Sequence, residues 1–193
     1  HVTQDVINEH LVREAQAGLK VVRLKGGDPS VFGRLDEELA ALSQHGIESS
    51  VVPGITSASA GAASLKQSLT RRDRNSSITF MTAHDAKGYA EHDWRQFVRS
   101  GQALAIYMGR KSAVFLQGRL LMAGADQDLV VTCIENISRP EERWFTSTLS
   151  NFAQRLDDDS WNGPLIIFVG IGQDRTVEVS GVSTVKEATH GSY

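Results

Sequence analysis

The sequence predicts an α/β protein built in two halves, and three observations carry that expectation. Short apolar, β-branched runs alternate with stretches of helical spacing along most of the 193 residues, the order that lays helices against a sheet. A polar, arginine-rich stretch at 67–77 interrupts the alternation, which puts a link there and divides the chain into 1–74 and 75–193. Late in the chain the rhythm changes, so the second half reads as a mixed sheet with an antiparallel part.

In the first half, Val6, Ile7, Leu11 and Ala15 recur at helical spacing within 2–17, and Gly18 supplies a C-terminal cap. Val21, Val22 and Leu24 predict a strand, 25–34 a loop, and 35–44 a second helix ending near Gly46. A further strand is expected at 47–52, closed by Pro53 and Gly54. Residues 56–66 are nearly all small, which predicts a helix with Thr56 or Ser57 as N-cap and a face that lets a ligand or another backbone come close. In the second half, strands are expected at 78–81, 104–108, 129–134, 143–149 and 164–169. Helices are expected at 94–98, 112–122 and near 152–156, with a last strand at 176–179. A nucleotide-binding α/β domain usually opens with a strand and a glycine loop, whereas this chain opens in a helix, so the first half reads as an incomplete α/β domain.

Composition narrows the function class. With 40% hydrophobic and 22% charged residues the chain is neither disordered nor fibrous. The longest apolar runs, such as 165–169, are too short to span a bilayer, and no signal-peptide pattern opens the sequence. Cys133 is the single cysteine, which excludes an internal disulfide and a Cys-rich zinc site and agrees with a reducing compartment, so a cytoplasmic location is expected. A net charge of -3 gives no general attraction to nucleic acid, so an anionic ligand must be met by local arginines. His84 and His92 lack metal-ligand spacing and read as surface residues, while Trp94, Trp144 and Trp161 are scattered as packing residues are.

The most informative stretch is "VVRLKGGDPSVFGR", residues 21–34. Gly26 and Gly27 lack Cβ atoms and let backbone press on a ligand at the carboxyl end of a strand, where open α/β sheets bind ligands. Pro29 holds Asp28 extended and fixes the direction of its carboxylate. An acid there repels phosphate, and neither a Gly-Lys-Ser/Thr ending nor a Gly-x-Gly-x-x-Gly run is present. Such a turn suits a ligand that carries positive charge or hydroxyls: an ammonium, a sulfonium or a ribose. A plain strand-to-helix turn is the competing reading of the loop taken alone.

"RLKGGDPSVFGRLDEE", "VVPGITSASA", "LTRRD", "IYMG" and "ENISRP", taken in order, resemble the tetrapyrrole methylase family, and the opening "HVTQDVIN" is similar to its His-x-x-x-Gln-x-x-Ile-Asn segment. Within that family the likeness is to the branch that methylates uroporphyrinogen III. The resemblance implies two α/β domains with a cleft between them, a homodimer, and transfer of methyl groups from S-adenosylmethionine to C2 and C7 of uroporphyrinogen III. The product is precorrin-2, on the way to sirohaem and cobalamin, with S-adenosylhomocysteine left behind. By the same resemblance Gly26, Gly27 and Asp28 hold the methionine end of the cofactor, with Val31 beside it and Thr56, Ser57 and Met108 lining it. Ser57 stands where the family has alanine, and Ile137 where relatives carry glycine or alanine against the cofactor.

The acceptor is a polycarboxylate, which calls for arginines, whose planar fork pairs bidentately with a carboxylate. The resemblance matches Arg34, Glu37 and Arg72 to the substrate side, with Glu37 orienting an arginine or taking up a proton. It also puts the family's candidate acid and base upstream of His1. Two alternatives stay open: another precorrin methylase of the same fold, and a cofactor-binding or regulatory module without turnover. Neither a metal nor a nucleic-acid partner is expected.

Overall fold

The computed structural model describes residues 2–72, 75–85, 88–157, 160–171 and 180–182. The chain divides between Ser57 and Ala58 into two compact units. The sequence expectation puts the link later, at 74/75. The small-residue helix spans this division, and a Cβ on its Gly61 would lie 3.3 Å from Ile134 and 3.4 Å from Phe168 of the second unit's sheet.

In the first unit, α1 (Gln4–Gln16) starts at Thr3, whose hydroxyl accepts from the Val6 N–H, and is followed by Gly18 at φ 81°. A loop leads to α2 (Leu35–Gln44), which packs against α1 and is followed by Gly46 in the left-handed region. The two helices agree with the sequence expectation. The strands expected at 21–24 and 47–52 do not: neither segment carries a strand ladder among the described residues. A strand exists only where a neighbour completes its hydrogen bonds, and here the apolar side chains lie open, with Val22 78%, Leu24 84% and Val52 79% exposed.

The second unit begins with the rest of α3 (Ser57–Ser64). Its six-stranded sheet has the order β1-β4-β7-β5-β6-β8. The strands are β1 (Ile78–Thr82), β4 (Ala103–Tyr107), β5 (Val130–Glu135), β6 (Arg143–Thr148), β7 (Leu165–Val169) and β8 (Ser180–Val182). A small hairpin of β2 (His84–Asp85) and β3 (Gly88–Tyr89) stands apart. Among the described residues only β1 and β4 pair in parallel; β4–β7, β7–β5, β5–β6 and β6–β8 are antiparallel, which makes the mixed sheet expected. The hairpin and β8 are additions, and the strand expected at 176–179 lies outside the described residues.

Strands β4 and β7 are buried along their whole length because both sheet faces are covered. On one face Leu104, Ile106, Val131, Cys133, Phe145, Ile167 and Val169 share a core with α5 (Ala113–Met122) and α6 (Phe152–Leu156). The other face receives α3 at Ile134 and Phe168. Cys133 lies in this core, where burial pushes its thiol far above the ordinary value, so it offers no nucleophile. Trp94 opens α4 (Trp94–Ser100) and is buried, as a packing tryptophan should be. His92 departs from the surface reading: its Nε2 lies 2.8 Å from the Thr82 carbonyl and its ring meets Trp94 edge-on. No helix among the described residues is long and apolar enough to cross a membrane.

Candidate functional site

The glycine loop of the first unit is built by close backbone approach. Gly27 takes φ 75°, and a Cβ placed on it would lie 3.5 Å from the Ile55 carbonyl and 3.9 Å from the Ser57 N–H nitrogen. Gly54 is more demanding: a Cβ there would overlap the Gly27 carbonyl, so only glycine lets the Pro53–Gly54 turn press on the loop. Gly26, Gly27, Thr56 and Ser57 are thereby drawn to one place. Further along, Phe32 and Arg34 hold φ of 51° and 54°, left-handed values that cost non-glycine residues about 1–3 kcal/mol each and persist only where the surroundings over-determine them.

Asp28 is held by its own turn. Its Oδ1 accepts from the Ser30 N–H at 2.8 Å and the Ser30 hydroxyl at 2.6 Å, an Asx-turn, and the Val31 N–H donates to the Asp28 carbonyl at 3.2 Å. The Ser30 hydroxyl, then its N–H, hold the Asp28 carboxyl below its ordinary value, so it is an anion at neutral pH. Its Oδ2 makes no hydrogen bond among the described residues and is the oxygen left for a ligand. Val31 is half-buried beside it.

Arg34 and Glu37 form a bidentate pair: the Arg34 Nε and Nη2 donate to the two Glu37 oxygens, each at 2.6 Å. This hydrogen bonding raises the arginine and lowers the glutamate relative to their ordinary values. Both side chains reach solvent, at 55% and 40% exposure, so the guanidinium is orientated by Glu37 yet open on its far side. The next residue behaves differently. Glu38 is buried, and its carboxylate collects Gln4 Nε2 at 3.1 Å, Arg23 Nε at 3.0 Å and Lys25 Nζ at 2.6 Å. These bonds keep it below its ordinary value although burial, the largest single influence, pulls the other way.

In the second unit β4 and β5 both run antiparallel to β7, and β1 parallel to β4, so the carboxyl ends of β1, β4 and β5 share one sheet edge. That edge is where α/β sheets bind ligands. Three non-glycine residues there are left-handed: Met108 at φ 56°, Asn136 at 53° and Ser138 at 63°. The Tyr-Met-Gly run now has a physical reading. The Tyr107 hydroxyl accepts from the Ala58 N–H at 3.1 Å, Met108 stands 53% exposed at the edge, and Gly109 leaves room for Ile167 and Leu116.

Buried glutamates hold the neighbouring "ENISRP" loop. Glu135 accepts from Arg143 Nε at 2.7 Å and the Gly163 N–H at 2.6 Å, while Glu142 accepts from the Ser138 N–H at 2.7 Å and from the Ser64 hydroxyl. Ile137 lies between Asn136 and Ser138, and its Cδ1 reaches toward α3, 3.0 Å from where a Cβ on Gly61 would stand. The larger side chain is accommodated by the missing one. Arg72 sits exposed in the turn closed by the Arg71–Asn75 bridge, in the second unit, whereas Arg34 and Glu37 belong to the first.

Lys25, Gly54, Glu38, Tyr107 and Glu142 hold these surfaces, yet none stands out in the sequence as a site residue. Gly54 reads there only as the stop of a strand, and the glutamates as ordinary charged positions. The signal lies in pairings across the fold, which spacing does not display.

The comparisons with known proteins cover the stretch of chain that holds these loops. The profile of the Tetrapyrrole (Corrin/Porphyrin) Methylases matches residues 1–153. A siroheme synthase of Pseudomonas aeruginosa is 39% identical over 169 residues, covering 88% of this chain and 36% of that protein. A uroporphyrinogen-III C-methyltransferase of Bacillus subtilis is 41% identical over 169 residues, covering 86% and 35%. This chain thus spans about a third of the length of these relatives. A crystal structure of uroporphyrin-III C-methyl transferase from Thermus thermophilus, complexed with S-adenyl homocysteine, superposes with a TM-score of 0.73 at 34% identity, covering 86% of this chain and 72% of that one. On the strength of the glycine loop, the Tyr-Met-Gly edge and these matches, the chain belongs to the tetrapyrrole methylase family.

Proposed function

We propose that this chain carries the methyl-donor site and part of the acceptor site of an enzyme that moves methyl groups from S-adenosylmethionine to C2 and C7 of uroporphyrinogen III, giving precorrin-2. The observation that carries the reading is Asp28: a carboxylate fixed by Ser30 inside a glycine turn, with one oxygen left over. Such a group fits the ammonium, the ribose hydroxyls or the sulfonium charge of the donor and would repel a phosphate. The Thermus relative, complexed with S-adenyl homocysteine, supports the same cofactor.

The sulfonium supplies an electrophilic methyl group when the donor is bound; the chain's own residues supply alignment, which dominates a transfer of this kind. Gly26 and Gly27 bring backbone against the donor, Asp28 anchors its charged end, and Val31, Thr56 and Ser57 complete that wall. Met108 and the Ile137 backbone line the sheet edge of the second unit. Arg34, set by Glu37, and Arg72 pair with carboxylates of the acceptor. The family resemblance adds a homodimer to the proposal.

The test is to incubate the chain, extended upstream of His1 to take in the acid and base that the family resemblance puts there, with S-adenosylmethionine and uroporphyrinogen III and to identify the tetrapyrrole by mass spectrometry. The expected product is two methyl groups heavier. Methylation of a later precorrin but not of uroporphyrinogen III would identify another precorrin methylase of the same fold. Binding of S-adenosylhomocysteine with no methyl transfer to either acceptor would overturn the catalytic reading.

A further inference from the structure

We infer that Glu38, with Lys25, Arg23 and Gln4, is a positioning device that sets the shape of the glycine loop and so aims Asp28 and Arg34. The inference rests on the function proposed above, and it concerns residues to which that proposal assigns no contact with either reactant.

Glu38 projects from the first turn of α2 into the first unit and is 3% exposed. Both carboxylate oxygens are used. Oε1 accepts from Gln4 Nε2 of α1 and Arg23 Nε, and Oε2 accepts from Lys25 Nζ, whose side chain is 10% exposed. Lys25 also donates to the Gly33 carbonyl. That carbonyl lies between the two left-handed residues Phe32 and Arg34. One carboxylate therefore links α1, the segment that enters the loop, the loop's far end and α2.

Stability alone does not explain such an arrangement. A buried ion pair is weak evidence for stability, since apolar residues of similar size often replace it without loss. What the pair does supply is a fixed distance from Lys25 to Gly33 across the loop. The left-handed Phe32 and Arg34 backbones need outside restraint to persist, and the Lys25 ammonium holds the carbonyl between them. Asp28 lies within the span so closed and Arg34 directly follows it, so a relaxed loop would misplace the groups assigned to the donor and to the acceptor together.

The full chain is tested as wild type, Glu38→Gln, the apolar pair Lys25→Met with Glu38→Leu, and Leu11→Ala as a control that removes a buried side chain of α1 making none of the network's hydrogen bonds. Titration with S-adenosylhomocysteine is read beside thermal unfolding and amide hydrogen exchange. The expected result is an apolar pair that stays folded, with a melting temperature close to that of wild type, yet binds about tenfold to a hundredfold more weakly. Glu38→Gln, which keeps an acceptor for Lys25, falls between. Amides at 30–34 exchange faster in the apolar pair while those of α1 and α2 do not, and Leu11→Ala lowers the melting temperature with affinity unchanged. Folded network variants with wild-type affinity and unchanged exchange at 30–34 would overturn the inference, as would an affinity loss in Leu11→Ala equal to theirs. If wild type itself binds no S-adenosylhomocysteine, the functional reading fails, and exchange at 30–34 still decides whether Glu38 shapes the loop.

Discussion

Asp28 shows at the scale of one residue how local chemistry selects a ligand class. Its Ser30 bonds fix the carboxylate and hold its pKa below the ordinary value of 3.8. A lowered value means that the charge, and the turn it supports, is complete at neutral pH and lost only as the pH falls below that ordinary value. Affinity for S-adenosylhomocysteine is therefore expected to show no Asp28 titration between about pH 7 and pH 5, and Asp28→Asn to weaken it about tenfold at about pH 7, measured by calorimetric titration. Gly54→Ala is expected to weaken binding at least as much, because its Cβ would displace the Gly27 backbone. Asp28 was legible in the sequence because Gly-Gly-Asp-Pro acts on its own neighbours. Gly54 was legible only as a chain stop, since its contact with Gly27 is made by folding.

Elements show the same division between near and far. The helices α1 and α2 follow from periodicity and from Gly18 and Gly46 behind them. The expected strands at 21–24 and 47–52 fail because apolar β-branched runs report a tendency to pair, and pairing needs a neighbour that no periodicity names. In the Tyr-Met-Gly run the sequence showed a motif, while the reason for the tyrosine is its hydroxyl, the acceptor for an N–H at the start of α3. Tyr107→Phe is expected to leave that buried N–H without its acceptor and to cost about 1–3 kcal/mol, read from urea unfolding. At the other end of the loop edge, Glu142→Ala should free the Ser138 N–H and loosen 136–142, visible as faster amide exchange there with β5 protected.

Across the whole molecule the two units differ in how their stability is made. The second has a sheet covered on both faces and a continuous core, whereas the first is two helices, a buried ionic network and glycine-mediated backbone contacts. Hydrogen exchange on the 193-residue chain should follow that contrast: amides of β4, β5 and β7 exchange slowest, and those of 20–25 and 48–55, which carry no ladder, fastest. Uniform protection across both groups would show that the apolar segments are paired in solution.

The central claim, that the glycine loop of this chain is a methyl-donor site, meets its most direct test in calorimetric titration of the chain with S-adenosylhomocysteine, beside Asp28→Asn. The account predicts saturable binding by the wild type and a marked loss in the variant with unchanged far-ultraviolet circular dichroism. Equal binding by the two, or none by a folded wild type, would contradict it.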